Sequence, residues 1–191
     1  MKNKFIVFMG VDGSGKSTVI ARLQEMHTIE YTFHFCATKR YNNNSQPNNE
    51  PHAKKTYSYP ISIVKMIFLV VQFNFGYLFN ILAKLKKGSV VGDRYFYDLM
   101  VDKKRYRMNV NDSLIVFVSK YLVKKPDLIV LCYADSEIIY RRKKEISLLE
   151  IKIQQERLLR IKDFLPHYLL LDTSKDNIDA LVRDVIKFVC I

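Results

Sequence analysis

Cysteine is scarce in this chain of 191 residues, which contains three. Cys36, Cys132 and Cys190 lie far apart and form no CxxC pair. This spacing excludes the usual patterns of a disulfide framework and of a zinc site. We therefore expect buried thiols in a reducing compartment and a cytoplasmic protein.

Acidic residues are also in the minority. There are 19 Asp and Glu against 31 Lys and Arg, for a formal net charge of +12. A positive field concentrates anions such as nucleotides, nucleic acid or lipid headgroups, so an acidic partner is predicted without being specified. For most individual lysines, a solvated surface position is the plain alternative.

The N-terminus lacks a signal-peptide pattern, because its apolar run at 5–9 is short and leads directly into a glycine loop. Residues 61–82 are apolar over a length that suffices to cross a bilayer. Lys65, Gln72 and Asn74 would then lie in lipid, so we predict no membrane span. The segment is predicted instead to be a long, largely buried helix or helix pair and a candidate homodimer surface.

Short apolar runs alternate with longer helical patterns along the chain. This alternation predicts a single α/β domain over residues 1–191, with a doubly wound three-layer α/β/α fold and a five-stranded parallel sheet. The predicted strands are 4–9, 31–36, 89–92, 127–133 and 167–171. The first helix should end near residue 27, and the last should run from 177 to 189 with one apolar face. Residues 41–59 are predicted to form a long loop, either a functional cover or disordered.

A glycine-rich motif follows the first predicted strand. From Gly10 to Thr18 the sequence reads GVDGSGKST, which satisfies the GxxxxGK(S/T) pattern between a strand and a helix. Backbone N–H groups in such a loop and the following helix N-terminus favour a phosphate. Lys16 would reach the β and γ phosphates of ATP, and Ser17 would bind Mg²⁺. The predicted nucleotide-binding residues of this loop are Gly10, Asp12, Gly13, Ser14, Gly15, Lys16, Ser17 and Thr18.

An acidic residue and a basic residue follow the third predicted strand. Asp93 comes beside the glycine loop in a doubly wound sheet, where a carboxylate is placed to hold Mg²⁺ directly or through water. Arg94 would grip a phosphate. A strand-terminal salt bridge of Asp93 is the structural alternative.

Four adjacent cations follow the fourth predicted strand, namely Arg141, Arg142, Lys143 and Lys144. They predict a lid at about 140–155 that closes on the transferred phosphoryl group and balances its spreading negative charge. A solvated helix face is the alternative for the same residues.

These motifs, in this order, resemble the thymidylate kinases, a family of nucleoside monophosphate kinases. The resemblance covers nearly the whole chain and rests on the glycine loop, the basic lid and three short motifs. These are Asp-Arg-Tyr at 93–95, Pro-Asp-Leu at 126–128 and Asp-Thr-Ser at 172–174. It implies transfer of the γ-phosphoryl group of Mg²⁺-bound ATP to a nucleoside monophosphate such as dTMP.

The resemblance also implies roles on the acceptor side. Asp12 would contact the sugar, Arg94 would contact the phosphate, and Arg40 would stand in for a second phosphate-gripping arginine. The segment that follows Asp-Arg-Tyr departs from the family pattern, and residues 61–84 contain no arginine to recognise thymine. The predicted acceptor-binding residues are Asp12, Arg40, Arg94, Tyr95, Asp98 and Arg105.

On the ATP side, Gly13 occupies a position where some family members have an arginine. The resemblance therefore implies that the catalytic cation comes from the lid, as Arg141 or Arg142. Asp172 and Thr173 would lie against adenine.

Two alternatives stay open. In the first, a pocket for a sugar or sugar phosphate is lined by Asp98, Asp102, Arg105 and Arg107, with Asp12 or Asp98 as general base for a hydroxyl acceptor. A nucleotide-binding regulatory or nucleic-acid-binding module would also suit the net charge. A phosphate acceptor needs no general base, because it is already ionised.

Overall fold

A parallel sheet forms the centre of the protein. The computed structural model describes residues 3–34, 55–165, 167–174 and 177–189. Within these residues, five parallel strands pair in the order β2-β3-β1-β4-β5. The strands are β1 (Phe5–Met9), β2 (Tyr31–His34), β3 (Val90–Asp93), β4 (Leu128–Tyr133) and β5 (Tyr168–Asp172). The predicted parallel sheet is confirmed.

Helices connect the strands and cover the sheet. They are α1 (Lys16–Glu25), α2 (Tyr59–Gly76), α3 (Leu82–Leu85), α4 (Asp98–Val101), α5 (Lys103–Tyr106), α6 (Asp112–Tyr121), α7 (Ser136–Arg142), α8 (Leu148–Ile161) and α9 (Ile178–Val189). A π-helical turn at Tyr77–Ile81 joins α2 to α3, and a 3₁₀ turn at Lys162–Phe164 follows α8.

The two faces of the sheet carry separate apolar cores. On β1, Phe5, Val7 and Met9 belong to the core shared with α2, α6 and α8. Ile6 and Phe8 belong to the core shared with α1 and α9. This alternation follows from the two-residue period of a strand that is covered on both sides. The predicted three-layer α/β/α architecture is therefore confirmed.

Element boundaries differ from the predictions by one or two residues. β3 and β5 each begin and end one residue later than predicted, so that Asp93 and Asp172 are the last residues of their strands. Helix α9 has the predicted apolar face, which consists of buried and half-buried residues: Ile178, Leu181, Val182, Val185, Ile186 and Val189. Most of the predicted 41–59 loop lies outside the described residues.

The prediction of a largely buried helix at 61–82 is wrong. The segment Tyr59–Leu85 is long and apolar enough to cross a membrane, with a mean hydropathy of 1.8. Only 22% of its most apolar stretch is buried inside the protein. One side of α2 packs onto the sheet through Met66, Leu69 and Phe73. The other side of α2 is exposed and apolar, and this exposed face continues through the π-helical turn to the start of α3: Ile61, Val64, Ile67, Phe68, Val71, Phe75, Leu78, Phe79 and Leu82.

Polar contacts tie the same segment to the domain. Lys65 donates from Nζ to the carbonyl oxygen of Tyr106 over 2.5 Å. Asn74 donates to the carbonyl oxygen of Leu122 over 2.7 Å and accepts from the backbone N–H of Lys124 over 3.2 Å. Two polar residues that sequence reasoning treated as obstacles to lipid burial therefore attach the helix to its neighbours.

Candidate active site

The glycine loop between β1 and α1 leaves little room for side chains at two positions. A Cβ added to Gly10 would lie 2.4 Å from the carbonyl oxygen of Cys132. Gly15 adopts a φ of +83°, and its added Cβ would lie 3.2 Å from Thr173. Only glycine adopts such backbone conformations at low cost, so the loop can wrap closely at the N-terminus of α1. This geometry fits a phosphate cradle.

Lys16 is buried beneath this loop. Its Nζ donates to the carbonyl oxygens of Gly10 and Val11 over 2.8 and 3.0 Å. Burial lowers the pKa of Lys16, and so does the charge of Arg94, whereas the carboxylates of Asp12 and Asp93 raise it. The charges of Asp12, Asp93 and Arg94 therefore all act on the lysine that is predicted to bind phosphate.

Asp93 reaches the loop because of strand pairing. β3 lies parallel to β1 with Asp93 beside Phe8, two residues before Gly10. Its half-buried carboxylate is close enough to Lys16 to affect the pKa of that lysine. Ser17 and Thr18 are exposed in the first turn of α1. The two predicted magnesium ligands, Ser17 and Asp93, thus lie on elements that meet at the carboxyl edge of the sheet.

Arg94 is paired with carboxylates at both of its terminal nitrogens. One nitrogen donates to Asp12, and the other donates to Asp98 over 2.7 Å. Burial alone would lower the pKa of Arg94, but the two carboxylates outweigh it and raise the pKa above its ordinary value. Arg105 donates to the other oxygen of Asp12 over 2.8 Å. Asp12, Arg94 and Arg105 are therefore brought together as predicted.

Two residues predicted to contact the acceptor are buried. Asp98 is 0% exposed and faces Arg94 and Tyr106, so it reaches a substrate only through other residues. Tyr95 is buried in the core, where its ring packs edge-on against Phe73 and its hydroxyl donates to the carbonyl oxygen of Lys124. The strand pattern placed both residues near the site but did not reveal which way they face.

The lid cations occupy different environments. Arg142, at the end of α7, donates to the carbonyl oxygen of Gly13 over 3.4 Å and to that of Thr173 over 3.1 Å. Arg141 is 78% exposed and lies 3.8 Å from the carboxylate of Glu137. Most of the predicted 140–155 lid belongs to α7 and α8, with residues 143–147 between them. Closure of this segment stays a prediction.

The predicted adenine-side residues lie beside the glycine loop. The hydroxyl of Thr173 donates to the carbonyl oxygen of Ser14 over 2.9 Å. The carboxylate of Asp172 accepts the backbone N–H of Ser174 over 3.0 Å. The end of β5 is therefore joined to the phosphate cradle. Arg40, the predicted second phosphate arginine, lies outside the described residues.

A small pocket opens next to Arg94. Its lining residues are Asp12, Arg94, Asp102, Arg105, Lys143, Glu145, Ile146 and Gln154. Gln154 is buried, and its amide nitrogen has no hydrogen-bond partner among the described residues. Sequence reasoning missed Gln154, although a polar residue in helical register with Ile151 and Leu158 signals a buried amide. The pocket joins the acceptor-side residues to the lid.

Asp12 provides a test of this charge arrangement. Burial alone would raise the pKa of Asp12. The positive charges around it, first Arg94, then Lys16 and then Arg105, outweigh burial and hold the pKa well below its usual value. The ionised carboxylate therefore stabilises the folded protein fully above the unfolded pKa of about 4, and this contribution is lost as the pH falls toward the folded pKa.

We expect the Asp12→Asn variant to be less stable than the wild type chiefly at neutral pH. Urea unfolding should show the greatest difference in unfolding free energy between about pH 6 and 8 and a smaller one near pH 3. Asp184→Asn, which removes an exposed ion pair with Lys187 on α9, is the matched control. A difference that stays constant across this pH range would contradict the electrostatic role of Asp12.

The parallel sheet and its glycine loop define a P-loop NTPase fold. No protein-family model matches the chain. The chain is 25% identical to a probable thymidylate kinase from Methanocaldococcus jannaschii, over 97% of this chain and 95% of that protein. It is 28% identical to a probable thymidylate kinase from Methanococcus maripaludis, over 96% of this chain and 94% of that protein.

Solved structures agree with this similarity. A thymidylate kinase from Ehrlichia chaffeensis matches with a TM-score of 0.64 and 21% identity, over 100% of both chains. One from Candida albicans matches with a TM-score of 0.66 and 18% identity, over 98% of this chain and 91% of that chain. The predicted resemblance to thymidylate kinases is therefore confirmed in sequence and in fold.

Proposed function

We propose that this protein is an ATP-dependent nucleoside monophosphate kinase that phosphorylates dTMP. One observation carries the proposal: Lys16, Asp93 and Arg94 meet at a single edge of the sheet, beside the glycine loop. The relatives named probable thymidylate kinase cover nearly the whole chain and support dTMP as the acceptor. Neither the sugar-phosphate alternative nor the nucleic-acid alternative has comparable support.

The residues of the site divide between the two substrates. The loop N–H groups and Lys16 hold the β and γ phosphates of ATP, and Thr173 lies on the nucleotide side. Arg94 binds the acceptor phosphate, and Asp12 and Arg105 lie beside it. An oxygen of the acceptor phosphate attacks the γ-phosphorus while the bond to the β–γ bridging oxygen breaks. The acceptor is already ionised, so catalysis comes from positioning and charge neutralisation.

Mg²⁺ fits the donors present at this site. Ser17 supplies a hydroxyl and Asp93 a carboxylate, and Mg²⁺ is commonly bound by one or two such oxygens together with substrate phosphates and water. Such a site does not need a cluster of protein ligands, and among the described residues no group of three or more His, Cys, Asp or Glu side chains is placed to hold a metal. Bound Mg²⁺ would neutralise phosphate charge.

Arg142 is the better placed of the two lid arginines to act on the transferred phosphoryl group. Its guanidinium already contacts the glycine loop at Gly13 and the end of β5 at Thr173. Arg141 instead faces solvent beside Glu137. A cation at the loop stabilises the negative charge that spreads over the transferred group.

A cytoplasmic location stays a prediction.

An ADP-release assay over a panel of acceptors tests the proposed function. The panel contains dTMP, the other nucleoside monophosphates and several sugar phosphates, each with MgATP. We expect acceptor-dependent turnover with kcat/KM highest for dTMP. Reactions without acceptor measure background ATP hydrolysis. The highest kcat/KM for a sugar phosphate, or ATP consumption that does not depend on any acceptor, would overturn the proposal.

We further propose that a second copy of this chain covers the exposed face of α2. Ile61, Val64, Phe68, Val71 and Phe75 are all exposed and alternate at spacings of three and four residues. This spacing is the pattern by which one helix packs along another. Phe75 and Phe79 stack at 5.7 Å and continue the apolar face into the π-helical turn. Apolar patches of this extent on soluble proteins mark interaction sites.

We expect the Phe68→Glu, Val71→Lys double variant to be a monomer where the wild type is a dimer. Two opposite charges at the centre of the face remove apolar contacts without changing the net charge. Light scattering coupled to size-exclusion chromatography measures the mass, and Leu149→Glu, an exposed leucine on α8, is the control. A monomeric wild type, or wild-type cosedimentation with lipid vesicles through this face, would overturn the dimer.

A further inference from the structure

The guanidinium of Arg94 is fixed by two carboxylates and, through one of them, by a tyrosine. Asp98 accepts a hydrogen bond from Arg94 over 2.7 Å and another from the hydroxyl of Tyr106 over 3.0 Å. Both bonds reach the same oxygen, Oδ2. The second terminal nitrogen of Arg94 pairs with Asp12. The result is a linear array, Tyr106–Asp98–Arg94–Asp12.

The backbone of Arg94 is equally constrained. Its φ is +70°, in the left-handed region that residues other than glycine rarely adopt. Its N–H donates to the carbonyl oxygen of Phe8 on β1 over 2.9 Å. A residue in such a conformation persists where its surroundings hold it firmly. Both ends of the side chain are therefore fixed in relation to the glycine loop.

The two residues that hold Arg94 come from adjacent short helices. Asp98 begins α4, four residues after Arg94, and Tyr106 ends α5. Asp102 lies between them and caps α5, because its side chain accepts the backbone N–H of Arg105 over 3.0 Å. Burial, and next the charge of Asp98, raise the pKa of Tyr106 well above its ordinary value. The tyrosine hydroxyl therefore stays protonated and donates.

Asp98 and Arg94 differ in their access to the pocket. Arg94 lines it, whereas Asp98 is fully buried. A buried carboxylate is costly unless it is paired and hydrogen-bonded. Arg94 and Tyr106 supply the ion pair and the hydrogen bonds at Oδ2, whereas Oδ1 is buried without a hydrogen-bond partner among the described residues. Without Asp98, the guanidinium would retain Asp12 as its carboxylate partner and would be free to turn toward it. Asp98 and Asp12 thus hold the same guanidinium at its two terminal nitrogens.

We propose that Asp98 and Tyr106 are positioning residues that aim Arg94 at the phosphate of the acceptor. This inference rests on the proposed function and adds that a phosphate monoester is recognised through an arginine fixed before the substrate binds. A guanidinium held in its binding orientation loses less conformational freedom when it forms paired hydrogen bonds to phosphate. Neither residue touches the reacting atoms.

Steady-state kinetics of Asp98→Asn and Tyr106→Phe test the proposal. We expect the KM for dTMP to rise about tenfold in Asp98→Asn and about threefold in Tyr106→Phe, in line with the loss of a charged and of a weaker hydrogen bond. The KM for ATP should change less than about twofold. In the double variant, the KM for dTMP should match that of Asp98→Asn, because both residues act through one oxygen. Tyr168→Phe, an exposed tyrosine on β5, is the control.

A purely structural role would give a different pattern. It would lower kcat through loss of folded enzyme or change both KM values together, and either result would overturn the proposal. If Asp98→Asn fails to fold, Tyr106→Phe decides alone, and an unchanged KM for dTMP overturns the inference. A wild-type enzyme without acceptor-dependent turnover would instead contradict the proposed function. The positioning role would then be tested by calorimetric measurement of inorganic phosphate binding. Tyr106→Phe should bind phosphate more weakly than the wild type, and equal binding would overturn the inference.

Discussion

The Lys16→Met variant is expected to lose phosphotransfer by a factor on the order of 100 to 1,000, the effect of removing one preorganised charge from an active site. The ammonium of Lys16 is held beneath the glycine loop by the carbonyl oxygens of Gly10 and Val11. Methionine fills similar space but carries no charge to stabilise the transition state.

The same variant should retain its fold. Burial lowers the pKa of Lys16, so the surroundings disfavour the charged ammonium. An uncharged side chain of similar size should therefore cost the folded state little. We therefore expect the free energy of unfolding in urea to change by less than about 1 kcal/mol. Lys187→Met, at an exposed position on α9, controls for loss of a lysine elsewhere. Phosphotransfer at the wild-type rate in Lys16→Met would contradict the role assigned to this residue.

Arg94→Met should reduce both activity and stability. The variant removes the guanidinium that we propose binds the acceptor phosphate, and it leaves Asp98 buried without its cation. Breaking a buried ion pair on one side typically costs about 3–5 kcal/mol, because an uncompensated charge remains. We expect a loss of that size in urea unfolding, together with a fall in kcat/KM for dTMP on the order of 100-fold.

The control for Arg94→Met is Arg160→Met. Arg160 pairs with Glu156 on the exposed face of α8, and such surface pairs contribute little to stability. A further comparison comes from Arg94→Met combined with Asp98→Asn, which should recover part of the lost stability because the buried charge is removed. Equal stability of the two Arg94 variants would argue that Asp98 is not held in its charged form by Arg94.

The sequence predicted the nucleotide side of the site more fully than the acceptor side. The glycine loop has a fixed spacing and a fixed place between strand and helix, so Gly10 to Lys16 were assigned from local pattern alone. Asp93 followed from the parallel sheet, since the carboxyl ends of neighbouring strands meet at one edge. Both depend on backbone geometry that short motifs specify.

The acceptor side depends on which way side chains face, and short motifs do not specify this. Asp98 and Tyr95 fall near the site in sequence but point into the core. Tyr106 was missed, because its contact with Asp98 is set by the bend between α4 and α5. The segment of α2 was predicted both to be largely buried and to be a candidate homodimer surface, because an apolar helix is expected to be buried whether its partner is the same chain or another.

The central position of β1 has a consequence for how the protein is made. β1 leaves the ribosome well before β3 and β4, which are its neighbours in the sheet. The N–H of Phe5 donates over 2.7 Å to the carboxylate of Asp127, 122 positions further along the chain. Such distant pairings form slowly, since the chain between them must first be closed into a loop. We therefore expect a nascent chain to acquire nucleotide affinity only after β4 has emerged, and earlier fragments to depend on chaperones while their apolar strands are uncovered.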